Sequence, residues 1–160
     1  MIDVVQRNNN EKVWMHLSRT YTVLERAREM ELAPLGISSI QFEVLHFVKA
    51  AKMPATPAQL ARWLHRQPHT VSGLLGRMEA QGLLRRTKDL ERRNQVRLTL
   101  TRKGEVALKR GWDAIMATDA TSCLSKKELD VLNASSDKLY AKGIQLIREM
   151  QPYPYATVRD

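Results

Sequence analysis

His69, Thr70, Ser72, Gly73 and Arg77 alternate with Val71, Leu74, Leu75 and Met78 in a stretch that opens on Pro68 and stops at Gly82. The four apolar residues recur at helical spacing and form one stripe to bury, which turns the others outward. An outward face of small and hydrogen-bonding groups, joined by Gly76 and led in by Gln67, can settle into a duplex major groove and meet base edges. A helix face selected only for solubility carries Glu and Lys instead. Directly downstream stand Arg86, Lys88, Arg92, Arg93, Asn94 and Arg97, placed to neutralise phosphates or to enter an adjacent minor groove. Residues 54–104 hold 11 Lys and Arg against 3 Asp and Glu, a net +8 of the +9 carried by all 160 residues. The candidate DNA contacts are therefore Gln67, His69, Thr70, Ser72, Gly73, Arg77, Arg86, Lys88, Arg92, Arg93, Asn94 and Arg97.

These side chains need two helices and a ribbon to hold them. Thr56-Pro57-Ala58-Gln59 starts the first helix, with Thr56 capping the Gln59 amide and Gln59 reaching back, and Leu60, Ala61 and Leu64 follow at helical spacing. A short break at His65-Arg66-Gln67 leads into the second. After Gly82, Leu83–Lys88 and Gln95–Leu100 flank a turn at Asp89–Asn94, and Val96, Leu98 and Leu100 alternate with polar residues, as in a two-stranded ribbon.

The flanking chain reads as amphipathic helix. Residues 11–31 space Trp14, Leu17, Tyr21 and Leu24 on one side, with Asn8-Asn9-Asn10 as an N-cap and Pro34 and Gly36 as a stop. Ser38-x-x-Gln41 caps a helix over about 39–52, and another begins near Thr101 with Leu108, Trp112 and Ile115. Ser125-Lys126-Lys127-Glu128 opens a last helix. There Leu129, Leu132, Ser136, Leu139, Gly143, Leu146 and Met150 recur at spacings of 3 and 4, a seam that needs a second helix to lie along. A second subunit fits best, because one reading helix covers half of a typical operator. The expected class is mainly α with a small β-hairpin wing. It is a winged helix-turn-helix at 37–104, with helical dimerisation regions at 1–36 and 105–160.

Other chemistry is poorly served. His16, His46, His65 and His69 lack metal-ligand spacing, so no metal or other cofactor is expected. No nucleophile with its base, carboxylate pair or phosphate loop appears, which argues against an enzyme. The single Cys123 reads as a small buried hydrophobe near the turn between the last two helices. With one cysteine and no apolar signal region in Met1–Lys12, a reducing cytoplasm is expected, and no apolar run approaches the roughly 18 residues of a membrane span. An architectural or RNA-binding basic protein is the alternative, although residues 65–104 contain no Phe, Tyr or Trp on which bases could stack.

Five pieces arrive in one order: Gly36-Ile37-Ser38-Ser39-Ile40-Gln41-Phe42-Glu43-Val44-Leu45; Gln59-Leu60-Ala61; Thr70 through Met78; Glu79 through Arg86; and Leu100-Thr101-Arg102-Lys103-Gly104. In this the chain resembles the MarR family of transcriptional regulators. The resemblance implies a homodimer built from the first and last helices, a repressor on a pseudo-palindromic double-stranded DNA operator, and release by a small aromatic or anionic effector. Members usually carry an Asp-x-x-Asp-x-Arg wing. Aligned back from Gly104, Asp89 takes the first Asp, Arg92 the second and Asn94 the Arg, so the choice between Arg92 and Arg93 for the minor groove stays open. Trp14, His16, Arg19 and Tyr21 could line an effector pocket between the dimer arms and the lobe. Trp14 and Tyr21 serve equally as dimer core, with His16 and Arg19 solvated.

Overall fold

The computed structural model describes residues 4–88 and 96–150, which form six α-helices and a two-stranded antiparallel ribbon. Helix α1, Val4–Leu32, runs straight through Asn8–Asn10, so the asparagines lie inside the helix and are not its cap. Asparagine costs only a few tenths of a kcal/mol in a helix interior, too little to stop one. A 3-10 turn at Ala33–Leu35 and a left-handed Gly36 (φ +70°) end it. Helix α2, Ser39–Ala50, ends two residues short of the expected 52. It begins with the expected capping box, in which Ser38 Oγ accepts the Gln41 amide at 3.4 Å and Gln41 Oε1 accepts the Ser38 amide at 3.0 Å. Glu29 of α1 takes the Ser39 amide at 2.9 Å, fastening α2 to α1.

Thr56 and Gln59 make a second capping box at the start of α3, Pro57–Trp63. Helix α4, Pro68–Ala80, follows the turn. Both helices end in a Schellman motif, closed by Arg66 N to Ala61 O (3.0 Å) and His65 N to Arg62 O (3.2 Å) after α3, and by Leu83 N to Met78 O and Gly82 N to Glu79 O (both 2.9 Å) after α4. The left-handed position belongs to Gly82 (φ +70°) in one and to His65 (φ +50°) in the other.

Strands β1, Leu84–Lys88, and β2, Val96–Leu100, pair from Leu84 opposite Leu100 to Lys88 opposite Val96. The Leu98 amide also bonds to Ala55 O at 2.8 Å, seating the ribbon on the segment that leads into α3. The expected turn at Asp89–Asn94 and the start of the return strand at Gln95 lie outside the described residues. Thr101 locks the base of the ribbon. Its amide and hydroxyl both donate to Leu83 O (3.2 Å each), its hydroxyl also donates to Gly82 O (2.5 Å), and its Oγ accepts the Gly104 amide (3.1 Å) as the cap of α5, Arg102–Thr118.

Leu45, Leu60, Leu75, Met78 and Leu84 carry no exposed surface and knit α2, α3, α4 and β1 into one core. Each contributes about 1.5–3 kcal/mol by leaving water. Leu32, Leu108 and Ile115 extend this core to α1 and α5, and Trp112 stands edge-on to Phe42 with ring centroids 5.3 Å apart. Helix α6, Lys126–Met150, starts with the expected Ser125–Glu128 box and buries none of its residues. Cys123 is exposed, contrary to the sequence expectation. It sits in the short turn after α5, whose neighbours Ala120, Thr121 and Ser122 are exposed too, so this stretch of the turn lies at the surface.

Candidate nucleic-acid interface

Helix α4 divides its residues as the periodicity requires. Val71, Leu74, Leu75 and Met78 are buried, while His69, Thr70, Ser72, Gly73 and Arg77 are exposed. Gln67 is the N-cap residue but makes no side-chain cap, so its amide group is not engaged at the start of the helix. Pro68 at the first turn costs nothing, since the amide it removes has no helical partner.

Gly73 is not demanded by packing. A Cβ there would meet only Arg77 Nη1, at an ordinary 3.7 Å. Gly73→Ala is therefore expected to stabilise the free protein by up to about 1 kcal/mol through helix propensity. Its methyl would stand between the helix and the base edges, and duplex affinity is expected to fall about tenfold, in line with the 1–3 kcal/mol of a single base contact. Calorimetric melting and a duplex titration check the two signs. Unchanged affinity would show that this face does not approach DNA closely.

The ribbon beside α4 has two faces. Leu84, Arg86, Lys88, Val96, Leu98 and Leu100 alternate onto one; Arg85, Thr87, Arg97 and Thr99 onto the other. Glu79 of α4 binds Arg86 twice, accepting its amide at 2.8 Å and its Nε at 2.7 Å. The backbone bond first and the side-chain bond second hold the Glu79 carboxyl below the usual carboxylate range. Arg86 is thus oriented by α4 itself, tying ribbon to helix. Lys88 is exposed near the tip and Arg97 half-buried. Arg92, Arg93 and Asn94 lie outside the described residues.

Trp14, His16, Arg19 and Tyr21 are all exposed on α1. At about 100° per residue, Trp14 and Tyr21 point the same way within about 20°, while His16 and Arg19 point well away from Trp14. The structure does not gather the four into one pocket. Trp14 and Tyr21 instead share a side with Leu17 and Leu24, all exposed, as are Leu132, Leu139 and Leu146 of the α6 seam.

Two further groups lie in, or interact with, the turn between α3 and α4. Glu43 of α2 has its carboxyl pushed up, first by burial and then by Glu25 of α1, against the opposing pull of Arg66 and Arg28. His65, in the turn before α4, meets Tyr140 of α6, with ring nitrogen and hydroxyl 2.9 Å apart and ring centroids at 5.8 Å. The local sequence signalled neither, because both depend on segments distant in the chain. Among the described residues no three His, Cys, Asp or Glu side chains cluster as a metal site, and no helix is long and apolar enough to cross a membrane.

A MarR family profile matches residues 35–93, a stretch that takes in α2, α3, α4 and β1. No curated protein matches the sequence. Among solved structures, the chain is similar to the organohalide-sensing transcriptional regulator RdhR-CbdbA1625. Its ligand-free form superposes with a TM-score of 0.78 at 25% identity, over 94% of this chain and 88% of that one. Its 2,4-dichlorophenol-bound form gives 0.73 at 27%, over 83% and 80%. The S. aureus MepR–DNA complex shares the fold, with a TM-score of 0.72 at 23% identity, over 83% of this chain and 98% of that one.

Proposed function

We infer that this chain is a sequence-specific double-stranded DNA-binding regulator of the MarR type that acts as a homodimer, a reading supported by the family match at residues 35–93 and by the winged-helix fold. One observation carries the reading. Helix α4 buries its whole apolar stripe and leaves outward a row of short hydrogen-bonding side chains, beside a ribbon that is cationic and bonded to it through Glu79 and Arg86. Base edges are met by His69, Thr70, Ser72, Gly73 and Arg77, and phosphates or the minor groove by the ribbon cations. The lobe at 37–104 reads DNA. The helices within 1–36 and 105–160 join two subunits, because α1 and α6 leave apolar rows exposed at helical spacing.

Binding competes with transcription, so the protein is a repressor. A small aromatic or anionic effector releases it, as the dichlorophenol-bound form of the organohalide-sensing relative suggests. The rings of Trp14 and Tyr21 are the part of the four-residue effector set that can act together.

Selection from a random duplex library tests the reading. The expected product is a dyad-symmetric site with half-sites about one helical turn apart. An asymmetric site shorter than one turn would overturn the dimeric reading. Equal retention of random duplex or single strands would favour an architectural or RNA-binding protein.

A further inference from the structure

Helices α3 and α4 are stopped by the same hydrogen-bonded motif, yet by different residues at its left-handed position. Gly82 fills it after α4, where lack of a Cβ makes φ +70° unstrained; His65 fills it after α3 at φ +50°. A side chain with a Cβ raises the energy of that conformation, and glycine would avoid most of the penalty. Strained positions of this kind persist where the side chain has a task. Here the ring leaves the turn and reaches the dimer-forming helix, its Nε2 lying 2.9 Å from the Tyr140 hydroxyl.

We propose that His65 and Tyr140 form a strut that positions the reading helix α4 against α6, a role that rests on the DNA-binding reading above. His65 stands three residues before Pro68, so it grips the turn from which α4 starts. At its other end Tyr140 sits mid-way along a helix that buries none of its own residues against the lobe. The joint between lobe and dimer arm therefore has little packing to stiffen it. DNA requires two reading helices at one separation. Loosening the joint spreads the lobes over other arrangements and lowers apparent affinity by the fraction of molecules still competent.

Three variants test this on the duplex that the wild-type protein selects from a random library. His65→Gly removes the ring and relaxes the turn, Tyr140→Phe removes the hydroxyl alone, and the third combines them. Each single variant is expected to remain dimeric in sedimentation and to bind the duplex at least about fivefold more weakly, the lower end of usual coupling between sites. The thermal midpoint of His65→Gly is expected to hold or rise, which a residue needed only for folding would not show. The double variant is expected to bind no worse than the weaker single one, because both lose the same contact. Unchanged affinity in both single variants, multiplied losses in the double, a lost dimer, or a midpoint that falls along with affinity would each overturn the strut. A wild-type protein that retains no duplex would overturn the DNA reading itself, before any variant is compared.

Discussion

Leu132→Asp combined with Leu139→Asp is expected to turn a dimer into a folded monomer and to weaken operator binding by about 10²–10⁴-fold. The two leucines lie seven residues apart on one side of α6, 47% and 50% exposed in the single chain, and no residue of that helix is buried. Within one subunit they stabilise little, so the melting of the lobe is expected to be nearly unchanged. Across a dimer they occupy the centre of the seam along this 25-residue helix, where two carboxylates per subunit would be desolvated against like charge. Once the subunits separate, each half-site must be filled by an independent encounter. The lost effective concentration accounts for the fall in affinity. Sedimentation and a duplex titration on the same preparation check both parts. A variant that remains dimeric would move the interface away from α6.

Gly104→Ala is expected to be the most damaging single-methyl change in the lobe. A Cβ at residue 104 would collide with the Leu83 carbonyl oxygen and approach Leu45 Cδ2 to 3.4 Å. That carbonyl is already held by the Thr101 amide and hydroxyl, so it cannot yield without opening the base of the ribbon. The expected loss is about 3 kcal/mol, the upper range for forcing a group into a filled core. Urea denaturation measures it. A loss below about 1 kcal/mol would mean that the junction of ribbon and α5 adjusts freely.

The same glycine shows which features were legible. Signals confined to one turn of chain were read directly: the boxes at Ser38, Thr56 and Ser125, the stop at Gly82 and the alternation of Val96, Leu98 and Leu100 are all where local chemistry puts them. Gly104 stood out in the sequence only as part of the resemblance to MarR regulators, and its reason is a carbonyl 21 residues earlier, which no local pattern displays. The stop after α3 was visible only as a break, since histidine does not announce a left-handed turn. Asn8–Asn10 offered a cap that α1 had no need to use, because the helix continues upstream. Cys123 was placed inside on the habits of its residue type, while burial is decided by what packs on the turn. The outward face of α4 was legible because the buried stripe fixes it. The four residues on α1 were not resolvable into a site, since Trp14, His16, Arg19 and Tyr21 lie on the part of the helix that is exposed in the single chain, before its packed end at Leu32.

The central claim, that two copies read DNA together through α4 and its ribbon, is tested most directly by titrating the selected dyad duplex at several salt concentrations, beside a single half-site and a scrambled duplex. The expected result is two chains per dyad duplex, a slope of log affinity against log salt steeper than about −5 from the combined phosphate contacts, and far weaker binding to the half-site and the scrambled sequence. One chain per duplex, or equal affinity for the selected and scrambled sequences, would contradict it.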